Sequence, residues 1–304
     1  MIKNFLSTQI FIHKNVMALE ERFQAILLDA YGVFWGGDRA GLLPGSKETL
    51  EKLVLSHKIV GILSNASRFS FKEIEKFKAH GLLQGVHFHF MVTSGDVAKK
   101  IFSHEKLPFE TPKKKYWLFG GPHPRFHHHQ AIFQDTVYSE TPDLRDADFI
   151  FISIPHINGE DETNPELFRK EVQKVVETGL PMVCVNPDHF AHEGDPPRLV
   201  VRQGSIAAMY EQLGGKVFYV GKPSLGAFRE AMDQFYERNI TQPENVLMVG
   251  DTPETDIRGA RHFGMASALV TQTGIIKDRI AENGFHILQN LPSYDQPHYF
   301  IERL

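Results

Sequence analysis

Polar side chains stand directly after apolar runs at four places in this sequence. Asp29 follows "AILL", and Ser64 with Asn65 follows "IVGIL". Lys222 and Asp251 lie at the ends of two further runs, in "VFYVGKP" and "VLMVGD". A single polar residue at the end of a strand is usually a turn former or a helix cap. Four such positions in chain order are better explained by one shared site.

The chemistry that these residue types could share is phosphoryl transfer. An aspartate such as Asp29 can attack phosphorus and form an acyl-phosphate, which divides hydrolysis into two easier steps. Asp29, Asp251 and Asp256 offer hard oxygen ligands of the kind that Mg²⁺ prefers. The ammonium of Lys222 can neutralise charge on phosphate and nucleophile together, and the hydroxyl of Ser64 can donate a hydrogen bond to a phosphoryl oxygen.

The elements that must position these groups alternate short apolar strands with amphipathic helices, which is the pattern of a parallel α/β sheet. The carboxyl ends of parallel strands meet in a crevice, where such folds bind their ligands. The same alternation occurs in both terminal parts of the chain and again in its middle. We therefore predict a doubly wound parallel α/β core formed by residues 1–85 and 203–304, with residues 86–202 inserted as a second α/β domain.

Four motifs resemble those of a known family. "DAYGV", "LSNAS", "VGKPS" and "VGDTPETD" resemble, in the correct order, the signature motifs of the haloacid dehalogenase (HAD) superfamily. The last two are similar to the NagD-type branch of sugar and nucleotide phosphatases, and "TSGDVA" and "NPD" add further matches. The resemblance implies a Rossmann-like core and identifies the inserted domain as a C2-type cap that closes over the substrate.

The resemblance also implies a role for each candidate residue. It makes Asp29 the nucleophile, Ser64 the phosphate-binding hydroxyl and Lys222 the charge-neutralising lysine. The Mg²⁺ ligands that it implies are Asp29, Asp251, Asp256 and the backbone carbonyl of Tyr31. The residues expected to contact the substrate are Asn65 and, in the cap, Asn186 and Asp188.

Tyr31 departs from the family's pattern. The superfamily usually carries an aspartate at this position, which protonates the leaving oxygen and then activates water. A phenol has a reference pKa of about 10, so it is a poor base at neutral pH. The loss of general acid–base help typically slows a reaction by about a hundred- to ten-thousandfold. Tyr31 therefore predicts weak hydrolysis by a site that still binds metal and phosphate.

Two functions remain open at this point. The first is Mg²⁺-dependent hydrolysis of a small phosphomonoester, of the sugar phosphate or nucleotide type, through a phosphoryl intermediate on Asp29. The second is non-catalytic binding of a phosphorylated ligand by a pseudophosphatase, which Tyr31 favours. We expect the enzyme, because Asp29, Lys222, Asp251 and Asp256 are all retained.

The composition excludes other classes of function. The net charge is −4 and carries no long basic block, which argues against nucleic acid as a partner. No secretion signal and no bilayer-spanning apolar stretch is visible in the sequence, so we expect a cytoplasmic protein that does not bind membranes. The expected partner is a small phosphorylated metabolite. Caps of this family often form dimers, so a homodimer through the cap is a further expectation.

Histidines concentrate in one segment of the inserted domain, at His123 and in the run 127–129. Imidazole suits Zn²⁺ and Ni²⁺, so this segment is a candidate transition-metal site. Adjacent side chains in a loop seldom converge on one ion, however, and no cysteine supports them. We therefore expect a solvated loop of the cap.

Overall fold

The computed structural model describes residues 10–193 and 198–304 of the chain. Its larger domain, here called the core, is built on a seven-stranded sheet. The strands of this sheet are β1 (Ile12–His13), β2 (Ala25–Leu28), β3 (Ile59–Ser64), β4 (Phe90–Thr93), β12 (Val246–Gly250), β13 (Ala266–Val270) and β14 (Tyr299–Ile301). They are ordered β1-β14-β13-β12-β2-β3-β4, and every neighbouring pair is parallel.

The central core strands are continuous apolar runs because both faces of the sheet are covered. Along β2, Leu27 belongs to one hydrophobic cluster, whereas Ile26 and Leu28 belong to another on the opposite face. The core helices are α1 (Ser46–Leu55), α2 (Ser70–Ala79), α3 (Ser94–Ser103), α7 (Leu225–Tyr236), α8 (Arg258–Phe263) and α9 (Gly274–Asn283). The predicted doubly wound parallel α/β core is confirmed.

The second domain, here called the cap, contains its own parallel five-stranded sheet. Its strands are β5 (Lys115–Phe119), β6 (Ser139–Glu140), β7 (Phe149–Ile152), β8 (Met182–Cys184) and β11 (Val217–Tyr219), in the order β11-β8-β7-β5-β6. An antiparallel pair is formed by β9 (Phe190–Glu193) and β10 (Arg198–Val201). The helices of the cap are α4 (His128–Phe133), α5 (Arg169–Val176) and α6 (Gln203–Gln212).

The two sheets place the limits of the cap differently from the sequence-based prediction of 86–202. Phe90–Thr93 is the edge strand of the core sheet, since its backbone pairs with β3. Val217–Tyr219, which the prediction assigned to the core, pairs with β8 in the cap sheet. The helix Gln203–Gln212 also packs on the cap, through Ile206 and Tyr210. Apolar runs mark strands, but the partner of a strand is decided by tertiary hydrogen bonding.

Core and cap are joined by more than the connecting chain. The hydrophobic cluster that contains Leu27 of the core also contains Phe149 and Phe151 of the cap strand β7. None of the helices in the described part of the chain has the length and apolar composition that crossing a bilayer requires.

Candidate active site

Three neighbouring core strands bring the predicted site residues to one edge of the sheet. Asp29 follows β2, Ser64 is the last residue of β3, and Asp251 follows β12. These strands are adjacent in the order β12-β2-β3, so their carboxyl ends open into the same crevice. Lys222 reaches the crevice by another route than predicted. Its preceding strand, β11, belongs to the cap sheet, so the lysine lies on the segment by which the chain returns to the core.

Lys222 is the centre of a buried ion cluster. Its side chain is 2% exposed, and its Nζ lies 2.6 Å from Oδ1 of Asp29 and 2.8 Å from Oδ1 of Asp256. The same ammonium donates a hydrogen bond to the backbone carbonyl of Leu63, at 2.9 Å. These contacts fix the lysine between the predicted nucleophile and a predicted metal ligand.

The three predicted carboxylate ligands are close enough to share one cation. Oxygens of Asp29, Asp251 and Asp256 lie within 4.8 Å of one another. The Ile275 N–H and the Thr252 hydroxyl donate to the carboxylate of Asp251, at 2.7 and 2.9 Å. Oδ2 of Asp256 accepts the backbone N–H groups of Asp251 and Thr252, both at 3.1 Å. These bonds hold both side chains in place before any ligand arrives.

Two glycines allow the chain to pack closely around Asp251. A Cβ on Gly274 would lie 2.0 Å from Oδ2 of Asp251, and a Cβ on Gly32 would lie 2.2 Å from the same oxygen. Both glycines also have positive φ angles, +67° and +80°, which disfavour other residues. The backbone of these two loops therefore forms the wall against which the carboxylate is held.

The electrostatics of the cluster favour a divalent cation. Burial raises the pKa of Asp29 well above its usual range, with Lys222 opposing and Asp256 adding to the increase. Burial and the neighbouring Asp256 raise the pKa of Asp251 to about 7. Burial lowers the pKa of Lys222, but the carboxylates of Asp256 and Asp29 outweigh it and raise the pKa overall. When all three carboxylates are ionised, they carry two negative charges more than the one ammonium balances, and oxygen donors with that charge suit Mg²⁺.

Asn65 links the cap to Lys222. Its Nδ2 donates to Oδ1 of Asp188 at 2.8 Å, and its Oδ1 accepts the backbone N–H of Lys222 at 2.7 Å. Asn186 accepts the backbone N–H of Asp188 at 2.9 Å, which shapes the cap loop. Burial raises the pKa of Asp188, while Lys222 and Asn65 lower it in part. In this state Asn65 positions protein groups, and substrate contact by Asn65, Asn186 and Asp188 stays a prediction.

Tyr31 is held by a buried ion pair that sequence reasoning missed. Its hydroxyl accepts a hydrogen bond from Nζ of Lys76 at 2.7 Å. The same ammonium lies 2.5 Å from Oε2 of Glu73 and 3.1 Å from Oδ1 of Asp38. Burial, followed by the charge of Glu73, raises the pKa of Tyr31 well above 10. The phenol is therefore protonated at neutral pH. In the sequence, Glu73 and Lys76 have the spacing of an ordinary solvated ion pair on a helix. Only the burial of the two side chains in the structure distinguishes them from such a pair.

Core and cap enclose a cavity of about 680 Å³. Asp29, Ser64 and Asp251 lie in its wall together with Tyr31. Side chains of the cap complete the enclosure, among them Phe126, Phe190 and Arg202. The volume suits a small organic ligand rather than a macromolecule.

The predicted solvated loop of histidines is found only in part, because His127 is exposed but the other histidines of this segment are buried or half-buried. His123 and His129 are buried, at 0% and 4% exposure. Nδ1 of His123 accepts the Arg125 N–H, and Nδ1 of His156 accepts the Gly159 N–H, each at 3.0 Å. Because Nδ1 of each ring accepts a hydrogen bond, the ring proton lies on Nε2, which leaves no lone pair there for a metal. In the described part of the chain, Asp29, Asp251 and Asp256 are the one group of three or more His, Cys, Asp or Glu side chains that could hold a metal ion.

Comparisons with known proteins agree with this geometry. A family model described as haloacid dehalogenase-like hydrolase matches residues 26–133, and one described as HAD-hydrolase-like matches residues 219–300. Human chronophin is 27% identical over 287 residues, which are 93% of this chain and 91% of that protein.

Two solved structures illustrate the similarity of fold. A haloacid dehalogenase-like hydrolase from Brucella suis 1330 superposes with a TM-score of 0.77 at 22% identity, covering 96% of this chain and all of that one. A glycerol phosphate phosphatase from Mycobacterium tuberculosis, solved in complex with magnesium, gives a TM-score of 0.63 at 20% identity, covering 92% and 76%. The family models match both segments of the core, and the motif residues meet in one crevice. The chain therefore belongs to the haloacid dehalogenase-like hydrolases and is an enzyme of that family.

Proposed function

We propose that this enzyme is a Mg²⁺-dependent phosphatase of a small phosphomonoester, of the sugar phosphate or nucleotide type. The observation that carries the proposal is the bridge of Lys222 between Asp29 and Asp256, at 2.6 and 2.8 Å, inside a cluster of three carboxylates. A cluster of this composition can hold a phosphate only together with a cation. The magnesium-bound relative named as a glycerol phosphate phosphatase supports the same assignment.

Asp29 is the nucleophile in the proposed reaction. One of its carboxylate oxygens bonds to phosphorus while the bond from phosphorus to the leaving oxygen breaks. Water then attacks the phosphorus of the acyl-phosphate, which releases inorganic phosphate and restores the carboxylate. The ammonium of Lys222 faces Asp29 throughout, so it offsets the charge that would otherwise repel the phosphate.

Ser64 has a proton available for the phosphate. Its Oγ accepts the backbone N–H of Ala66 at 3.3 Å, so the hydroxyl proton can point elsewhere. The side chain is buried, and it lines the same cavity as Asp29. A hydrogen bond from this hydroxyl to a phosphoryl oxygen is the role that follows.

The residues that would hold Mg²⁺ are Asp29, Asp251, Asp256 and the backbone carbonyl of Tyr31. Bound there, the cation supplies positive charge to the phosphoryl oxygens and the nucleophile. The two negative charges that Lys222 leaves uncompensated fit this requirement.

Tyr31 sets the expected limit on turnover. Its hydroxyl is protonated, so it can donate a hydrogen bond to a leaving oxygen but cannot act as a base for the second step. The phosphorylated enzyme is therefore expected to accumulate. Family membership favours this slow enzyme over the pseudophosphatase that the sequence also left open.

The experiment is a screen of phosphomonoesters with Mg²⁺, run on the wild type and on Asp29→Asn. We expect turnover by the wild type that the variant lacks. With p-nitrophenyl phosphate, we also expect a burst of p-nitrophenolate equal to the enzyme concentration, followed by a slower steady rate. Turnover that persists in Asp29→Asn would remove Asp29 from the role of nucleophile, and no turnover on any ester would favour the pseudophosphatase.

A further inference from the structure

A small recess lies beside the active-site cavity and is lined mostly by residues of the cap. Its volume is about 10 Å³, which is room for a single water-sized group. The residues shared by the recess and the cavity are Ser67, Phe126, His128, Ile154 and Gln203. The recess therefore adjoins the cavity in which the proposed substrate lies.

Gln203 presents an unpaired polar atom in this region. It is the first residue of α6 and is 3% exposed. Its Nε2 donates to Oγ of Ser67 at 3.4 Å, while its Oε1 is buried without a partner among the described residues. The hydroxyl of Ser67 can donate or accept, so either orientation of the amide leaves one atom unpaired. A buried amide atom without a partner is costly, which calls for a group to pair with it.

His128 presents a second unpaired atom. It begins α4, and its buried Nδ1 has no partner in the described part of the chain. Burial, followed by the charge of Arg68, lowers the pKa of His128 to about 4. The ring is neutral at pH 7 and has one donor and one acceptor nitrogen.

The charges around the recess disfavour a second anionic group. Arg68 is paired with Glu73 at 3.3 Å, and Arg202 with Asp161 and Glu193 at 3.1 and 2.8 Å. The remaining walls include Phe126 and Ile154, which are apolar. A hydroxyl group is neutral, occupies about the volume of a water molecule, and both donates and accepts, so it matches these surroundings.

We propose that this recess binds a hydroxyl group on the leaving part of the substrate, between Gln203 and His128. These two residues then determine specificity, and the enzyme selects phosphates of sugars or polyols over alkyl phosphates of the same shape. This inference rests on the proposed phosphatase function, because it concerns the leaving group of that reaction.

The test compares matched esters with and without hydroxyls. The pairs are glycerol 3-phosphate with propyl phosphate, and glucose 6-phosphate with cyclohexylmethyl phosphate. For at least one pair we expect wild-type kcat/KM to favour the hydroxylated member by about tenfold or more. Gln203→Leu should bring this ratio close to one, mainly through KM. Gln212→Leu, an exposed glutamine at the other end of α6, is the matched control and should keep the wild-type ratio.

A second variant and a binding measurement keep the test decisive. If circular dichroism shows that Gln203→Leu is misfolded, His128→Phe tests the same recess from α4. Calorimetry on Asp29→Asn with Mg²⁺ measures affinity for the same pairs without turnover. Absence of all hydrolysis together with tighter binding of the hydroxylated esters would refute the phosphatase but support the recess. Equal ratios in the wild type and both variants, in kinetics and in binding, would show that the recess holds only water.

Discussion

Replacement of Lys222 by methionine removes the one cation of the buried cluster while nearly preserving its volume. Its Nζ lies 2.6 Å from Asp29 and 2.8 Å from Asp256. At an effective dielectric constant of about 20, each contact is worth roughly 6 kcal/mol of Coulomb energy. Desolvation of the three groups offsets much of this energy, and breaking a buried pair typically costs about 3–5 kcal/mol. For a chain of this size, at about 2 °C per kcal/mol, we expect the unfolding midpoint to fall by roughly 6–10 °C.

The pH dependence of this loss provides a sharper check. The pKa of Asp29 is raised well above its usual range, and that of Asp251 is raised to about 7. A raised folded-state pKa means that the folded protein binds more protons, so stability falls as pH rises from about 4 through 7. Removal of Lys222 raises the pKa of Asp29 further, which widens that window. The deficit of Lys222→Met should therefore be smaller near pH 4.5 than above pH 7.

The assay is differential scanning calorimetry of wild type and Lys222→Met between pH 4.5 and 8, without metal. The control is the double variant Lys222→Met/Asp29→Asn, which removes one of the uncompensated charges and should recover part of the midpoint at pH 7.5. Calorimetric titration of inorganic phosphate with Mg²⁺ should show weaker binding by the single variant. A deficit that is constant across pH, or absent at pH 7.5, would refute the assignment of Lys222 as the buried counter-charge.

Three further predictions concern the metal site and Tyr31. Asp251→Asn should weaken Mg²⁺ binding by about a hundredfold or more in calorimetry. The Mg²⁺ affinity of the wild type should rise as pH passes through 7, because the carboxyl of Asp251 must release its proton before it can bind the cation. Equal Mg²⁺ affinity in both proteins would remove Asp251 from the site. Gly274→Ala should lower Mg²⁺ affinity and stability, because its Cβ would lie 2.0 Å from Oδ2 of Asp251. The control is Gly45→Ala, which lies at φ +79° in open space and therefore carries only the backbone strain. Matching Mg²⁺ affinities in the two variants would contradict the steric argument. Tyr31→Asp should raise steady-state turnover of an alkyl phosphate by about tenfold, since an aspartate can act as the missing base. If the wild type is already efficient and the variant is no faster, another group must move the proton.

The sequence by itself determined the parts of this protein that depend on local pattern. Continuous apolar runs such as "AILL" and "VLMVG" predicted buried parallel strands, and the doubly wound core follows from them. The position of Asp29, Ser64 and Asp251 at the carboxyl ends of such strands was enough to bring them to one crevice. Such positions can be predicted from the sequence because a parallel strand determines at which edge of the sheet the residue at its carboxyl end lies.

The tertiary structure decided what depends on partners far apart in the chain. The assignment of Val217–Tyr219 to the cap sheet, and thus the route of Lys222 into the site, was set by pairing with β8. The burial of Glu73 and Lys76 around Tyr31 could not be distinguished in sequence from a solvated helical pair. The surroundings of the Gln203 amide are set by the packing of the cap on the core, where its hydrogen-bond partner Ser67 lies 136 residues earlier in the chain. Burial and charge compensation depend on all the elements around a side chain, and no local stretch of sequence contains them.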